Sequence, residues 1–333
     1  VSVPTNTLTA TPRTPLVILS VFVLVTLGLG WLVGLPLILM SPEERSAAPD
    51  GVYMNVFMLT PAVAAVIAYL MERRQPLGVL YGHTAAEREP AGAQLKSQSI
   101  TDALGITPLR PVGRLLAWSI LALLLFFAFS LAALPIGAAL GAYPLDLSMP
   151  IFVQDLSARL GREATEFIAT GLLVEVGYIF SGAVLGVVIH AGIEMGWRGY
   201  LFPRLQVRWG SRAAVVLTGI VSGLWYAPLL AVGFFYGQTP VFLALALMIG
   251  FSIIIGGVLA WLRMRSGSIW PAAFAQSMIS AAAILHFWFA EAGAPTDFRV
   301  ATLQGVTGWI LPGLLLLGLL IFARRAYAPP RSR

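Results

Sequence analysis

The chain has 333 residues, 58% of them hydrophobic and 11% charged, with 21 Lys and Arg against 15 Asp and Glu, three His and no Cys. Soluble domains carry roughly 25% charged residues, so an ordinary soluble enzyme is excluded, as are disulfides, Cys-ligated zinc or iron–sulfur sites, and a His-rich metal centre. The basic balance calls for no nucleic acid, because Lys and Arg mark the cytoplasmic loops of membrane proteins; the partner that composition implies is the lipid bilayer.

Apolar runs long enough to cross a membrane recur along the chain, which predicts an all-α, polytopic transmembrane bundle of about eight spans. The spans run roughly over 15–40, 52–71, 113–140, 166–192, 213–235, 240–262, 268–290 and 302–323. A polar arm (1–14) precedes the first span, which has no small-residue cleavage site and reads as a retained helix rather than a signal peptide. Residues 15–71 hold the first two spans, and 72–112, rich in Glu, Arg, Gly and Pro, form a cytoplasmic linker that includes His83 as a solvated side chain. The main bundle is 113–323, followed by a basic tail, 324–333. The fourth span exceeds the ~20 residues needed to cross, so it tilts or projects. The loop 141–165 carries a mildly amphipathic piece, Val153 to Leu160, suited to a membrane surface.

With the N-terminus inside, 17 of the 21 Lys and Arg fall in cytoplasmic segments. This asymmetry predicts an even number of spans and both termini in the cytoplasm, with the plasma membrane of a prokaryote as the expected location.

Ionisable groups at membrane depth are costly and point to function. The densest cluster is His190 to Pro203, where His190, Glu194 and Arg198 fall at i, i+4 and i+8 on one helix face. One reading is an interfacial Glu194–Arg198 ion pair closing the cytoplasmic helix end; the other is a catalytic or binding role, with His190 as auxiliary. Gly182 and Gly186 offer a close-packing step, and Glu166 and Glu175 lie on the outer half of the fourth span.

The segment Glu194-Met195-Gly196-Trp197-Arg198-Gly199-Tyr200-Leu201-Phe202-Pro203-Arg204-Leu205 resembles the first motif of the CPBP family, the CAAX-prenyl-protease and bacteriocin-processing (Abi-type) intramembrane endopeptidases. Gly223 to Leu230 resembles the second motif and Gly267 to Ser277 the third, in the same order. The resemblance covers roughly 165–290 and implies about eight helices with cytoplasmic termini. In the family scheme a Glu and a His activate water, and the other motif residues position it or stabilise the oxyanion.

This chain departs from that scheme. Ile193 stands at the first Glu position, Tyr226 at the second-motif His, Gln276 at the third-motif His and Ser280 at the Asn/Asp position, leaving Glu194 and Arg198. Neither Ile nor Gln can serve as a general base, and a Tyr hydroxyl is a poor one near neutrality. His190 and Glu194 supply two metal ligands where a catalytic zinc needs three. His286, some 18 residues or ~27 Å along its helix, is expected to stay apart from them, so no cofactor is expected. Tyr226, Gln276 and Ser280 can hydrogen-bond across the former cleft, as interhelical glue or as a pocket.

The expected function is that of a catalytically inactive relative acting as a binding, scaffold or accessory subunit for other membrane proteins or a membrane-bound peptide. Ile193, Tyr226, Gln276 and Ser280 would then surround a cytoplasm-facing cavity. The alternatives are an endopeptidase with an altered catalytic set built on Glu194, and a small-molecule or lipid-handling protein; for the last, broken helices or inverted repeats are expected, and the sequence shows none.

Overall fold

A computed structural model describes residues 14–47, 50–75, 99–322 and 326–327. The polar arm, His83 with most of the 72–112 linker, and most of the basic tail therefore lie outside the described residues. Among the described residues the chain is helical, with one isolated antiparallel bridge between Leu145 and Ala290. In chain order the helices are α1 (Leu16–Leu39), α2 (Pro42–Ala47), α3 (Asp50–Arg74), α4 (Ile100–Ala103), α5 (Val112–Ala139), α6 (Pro150–Leu160), α7 (Ile168–Leu185) and α8 (Val187–Glu194). A π-turn over Met195–Leu201 leads into α9 (Phe202–Trp225), followed by α10 (Ala227–Ala231), α11 (Val241–Ser266), α12 (Trp270–Ala281), α13 (Leu285–Trp288) and α14 (Ile310–Ile321).

Five stretches are long and apolar enough to cross a membrane: Leu16–Leu39, Gly51–Arg74, Val112–Ala139, Thr165–Leu185 and Val241–Ser266. They coincide with the first four expected spans and the sixth. The other three differ for physical reasons. The first half of α9 carries Arg204, Gln206, Arg208 and Arg212, so its apolar face is one-sided, and it bends at Gly210 (φ 81°). The seventh expected span is broken: α12 gives way to a 3₁₀ turn at Ala282–Ile284 before the short α13. The eighth contains a shorter apolar helix, Val306–Ile321. The fourth is not one continuous rod; it ends at Gly186 and restarts as α8.

Prolines set several starts. Pro150, Pro203, Pro228 and Pro271 occupy the first turns of α6, α9, α10 and α12, where the missing N–H has no helical partner to lose. Three of these prolines belong to the three sequence motifs, so each motif is a helix start as well as a source of side chains.

The bundle is assembled by α9 along α11, α1 along α3 and α12 against α5, with α8 between α3 and α12. A Cβ on Gly219 would lie 2.6 Å from Ile253 Cα, and one on Gly223 2.7 Å from Ile249 Cα. These glycines let the α9 and α11 backbones touch. Gly182, by contrast, faces open space, and Gly186 meets the Ser277 hydroxyl, so the expected close-packing step is at one glycine rather than two.

The end of the linker packs against the bundle. Leu104 is fully buried, the Gly105 carbonyl accepts from Ile269 N (2.8 Å) and Ser268 Oγ (3.3 Å), and the Ile106 carbonyl accepts from Trp270 Nε1 (3.1 Å). α6 packs Phe152 against Trp288, ring centroids 5.4 Å apart.

Candidate functional site

The helix α8 and the π-turn carry the first motif through the centre of the bundle. The widened turn needs small residues where other backbones approach. A Cβ on Gly196 would sit 2.8 Å from the Pro61 carbonyl oxygen, and one on Gly199 2.2 Å from that of Leu104. The two motif glycines therefore seat the turn on α3 and on the linker end.

Arg198 Nη1 donates to Glu194 Oε1 at 3.0 Å, and the two side chains are 5% and 0% exposed. The pair is thus buried in the protein core, at the junction of α8 and the π-turn. Gly256 of α11 makes room for the guanidinium, since a Cβ there would fall 2.8 Å from Arg198 Nη2. Glu194 Oε2 and Arg198 Nε have no hydrogen-bond partner among the described residues. Trp197 and Trp225 meet edge to face at 5.9 Å beside the pair, and Phe57 stacks on Trp225 at 4.0 Å.

His190 does not bond Glu194. Its Nδ1 lies 2.9 Å from the Gly186 carbonyl and its Nε2 3.0 Å from Ser280 Oγ. A carbonyl only accepts, so the neutral ring carries its proton on Nδ1 and Nε2 accepts from the Ser280 hydroxyl. Tyr226, Gln276 and Ser280 do not hydrogen-bond one another across a cleft as expected; Ser280 turns to His190, with a longer 3.4 Å contact to the Gln276 carbonyl.

The three residues do line one cavity of about 680 Å³, walled mainly by apolar side chains of α3, α11 and α12, among them Met54, Phe57, Met248 and Phe251. Ile193 is buried elsewhere in the core and does not line it. Among the described residues, Glu194, Arg198 and every other carboxylate and Lys or Arg are absent from the lining, and His286 and Tyr226 are its titratable groups. The cavity reaches the connection Gly233–Gly237 and residues Phe298, Thr302 and Gln304. That end is opposite the one holding Arg263 and Arg265 at the close of α11. The cavity therefore does not open at the basic end of the bundle, where it was expected.

The broken seventh span serves this cavity: Ala283, in its 3₁₀ turn, and His286 both line it. Irregular backbone at membrane depth is tolerated where it borders a cavity or is buried in protein. Two cavity-lining residues, Phe235 (φ 71°) and Thr302 (φ 68°), hold left-handed backbone, a conformation other than glycine that persists only where its surroundings fix it.

The donors do not suit zinc. Both His190 nitrogens are taken, His286 is not brought to Glu194, and among the described residues no three His, Cys, Asp or Glu groups converge. A catalytic zinc needs three protein ligands.

A second buried network was not singled out by the sequence reading. Glu72 of α3 accepts from Thr14 Oγ1 (2.6 Å), Tyr200 Oη (3.0 Å) and Arg204, whose Nε and Nη2 reach its two oxygens at 3.0 and 2.9 Å. A carboxylate near the end of an apolar run was the available signal; its partner, 132 positions away, was not readable.

Residues 175–282, the stretch that carries all three motifs, match the family model described as type II CAAX prenyl endopeptidase Rce1-like. The family resemblance read from the motifs is thus borne out. No curated protein matches the chain. This is a membrane protein with an intramembrane-protease-like, CAAX-protease-like central region.

Proposed function

We propose that this CAAX-endopeptidase-like protein has exchanged hydrolysis for binding, and uses the cavity at Tyr226, Gln276 and Ser280 to hold an apolar chain, as a binding or accessory subunit for a lipid-modified or membrane-bound peptide. One observation carries this reading: among the described residues no carboxylate borders the cavity, while the retained Glu194 is fully buried and paired with Arg198. A hydrolytic site needs a base within reach of the attacking water. A cavity of about 680 Å³ with mostly apolar walls and a few neutral hydrogen-bonding groups suits a ligand instead. The eight-span arrangement with both termini cytoplasmic, in a prokaryotic plasma membrane, completes the proposal and rests on the distribution of Lys and Arg. It places the cavity toward the outer leaflet.

The second reading is an endopeptidase built on Glu194. What favours it is the open acceptor at Glu194 Oε2. A single comparison separates the two. Purified protein is incubated with farnesylated and unmodified membrane peptides, with and without added zinc, and products and bound peptide are both measured. Binding without cleavage is expected. Cleavage that disappears in Glu194→Gln, with melting behaviour unchanged, would overturn the binding reading in favour of the protease.

A further inference from the structure

At the end of the bundle opposite the apolar cavity, a separate pocket of about 360 Å³ is formed where α5 begins and α11 ends. Its walls include Arg110, Arg114 and Arg263, with Pro203 and Gly267 closing the sides, and no Asp or Glu among the described residues. Elsewhere in the bundle buried arginines are matched by carboxylates, Arg198 by Glu194 and Arg204 by Glu72. Here they are not. Arg263 is packed against Gly105, where a Cβ would fall 2.4 Å from its Nη2, and its buried Nε has no hydrogen-bond partner. Arg114 donates one Nη2 bond to the Arg265 carbonyl and keeps its other N–H groups. Arg110 has no ion pair among the described residues and is exposed at the rim.

The backbone adds the same sign. α5 starts after Pro111 without a side-chain cap, and its first turn, through Pro111, Arg114 and Leu115, forms part of the pocket wall, so the positive end of a 28-residue helix lies beside it. Charges brought together without a counter-ion are costly, and more so as they leave water. Three guanidinium groups, each a planar fork of donors, match the oxygens of a phosphate. The volume accommodates a phosphate with the small alcohol it esterifies, and basic pockets between helices at the membrane surface are where anionic headgroups bind.

We propose that this pocket is a binding site for a phosphate ester, held by Arg110, Arg114 and Arg263 at the basic end of the bundle. The group is supplied either by the headgroup of an anionic phospholipid or by a soluble phosphate. The site is independent of the apolar cavity and of whether the protein cleaves peptides.

The test uses the full chain purified in dodecyl maltoside, titrated with dioleoylphosphatidylglycerol, dioleoylphosphatidylcholine or inorganic phosphate, with bound ligand read by native mass spectrometry and by thermal shift. Saturable phosphatidylglycerol binding is expected, with phosphatidylcholine weaker because its choline cation faces the same arginines. Each lost charge-assisted bond should weaken binding about tenfold or more, so Arg110→Gln with Arg114→Gln should nearly abolish it. Arg263 is packed inside the bundle and its replacement endangers the fold, which is why the two outer arginines carry the test. Arg265→Gln, exposed at the same end but outside the pocket, should leave binding unchanged. Lipid saturation that inorganic phosphate does not compete assigns the site to a headgroup. Phosphate binding alone, with the same dependence on Arg110 and Arg114, assigns it to a soluble ligand. Absence of saturable binding by either, or equal loss in Arg265→Gln, overturns the proposal.

Discussion

His190 Nε2 and Ser280 Oγ stand 3.0 Å apart, joining α8 to α12 across 90 positions of sequence. Ser280, at the position where the resembled motif carries Asn or Asp, supplies a polar tie between the two helices. A Ser hydroxyl donating to a neutral imidazole stabilises by about 1 kcal/mol, and such bonds inside membranes average somewhat less.

Ser280→Ala should accordingly lower stability by about 0.5–1 kcal/mol. His190→Ala should cost more, because it also removes the Nδ1 bond to the Gly186 carbonyl and a buried ring. Thermal melts in detergent check the order. If His190→Ala melts no lower than Ser280→Ala, the ring is not fixed at both nitrogens.

Arg198→Ala leaves the fully buried Glu194 carboxylate without its partner. Breaking a buried pair in this way costs about 3–5 kcal/mol. Combining it with Glu194→Gln removes the stranded charge, so the double variant should melt higher than Arg198→Ala alone. Equal melting of wild type and Arg198→Ala would mean that the pair is solvated.

Much of this architecture was legible in the sequence, and the exceptions have causes. α1, α3, α5, α7 and α11 announce themselves by length and apolarity alone. α9 does not, since its arginines and Gln206 are accommodated by partners: Arg204 by Glu72, Gln206 by the Tyr327 carbonyl. The break after Ala281 is invisible because Ala-Ala-Ala-Ile has no helix-breaking residue. In the site, Glu194–Arg198 follows from four-residue spacing, whereas His190–Ser280 and Glu72–Arg204 depend on tertiary packing that no local pattern encodes.

The contact between α9 and α11 gives a sharper test. Ala at Gly219 or Gly223 would place Cβ within 2.7 Å of an α11 Cα, and neither backbone can yield as a side-chain tip could. Each change should cost about 1–3 kcal/mol or more. Gly182→Ala, facing open space, should be neutral or slightly stabilising through helix propensity. Comparable melting of all three variants would show that the two helices do not touch there.

The docked end of the linker has its own pH dependence. Thr107 and Ser99 donate to the exposed Asp102 carboxylate and hold it below the ordinary carboxylate range. A carboxylate depressed in the folded state contributes stability above its unfolded value, near 4, and loses it as pH falls through the folded value. Hydrogen exchange of residues 99–107 should therefore be slow relative to Asp102→Ala from pH 5 to 8, with the difference closing below about pH 4. No difference between wild type and Asp102→Ala at pH 5 to 8 would assign the docking to Leu104 and the Gly105 carbonyl alone.

Restoring the family residues one at a time separates cavity positions from core positions. Gln276 lines the cavity, so Gln276→His gives the imidazole space and a polar neighbour in Ser280, and its effect on stability should stay under about 1 kcal/mol. Ile193 is 2% exposed, packed in the hydrophobic core and absent from the cavity wall. Ile193→Glu would bury a carboxyl with no partner of its own, next in sequence to the buried Glu194 carboxylate, while Arg198 is already engaged. An unpartnered polar group in an apolar site costs about 2–7 kcal/mol depending on the reference state, and a charged one more, enough to exceed the margin of many domains. Gln276→His should thus purify and melt like wild type, while Ile193→Glu should be lost from the membrane fraction or melt far lower. If Ile193→Glu is tolerated as well as Gln276→His, the helix can rotate to bring position 193 to the cavity. The catalytic arrangement would then be recoverable, contrary to the fixed, non-hydrolytic pocket proposed for this chain.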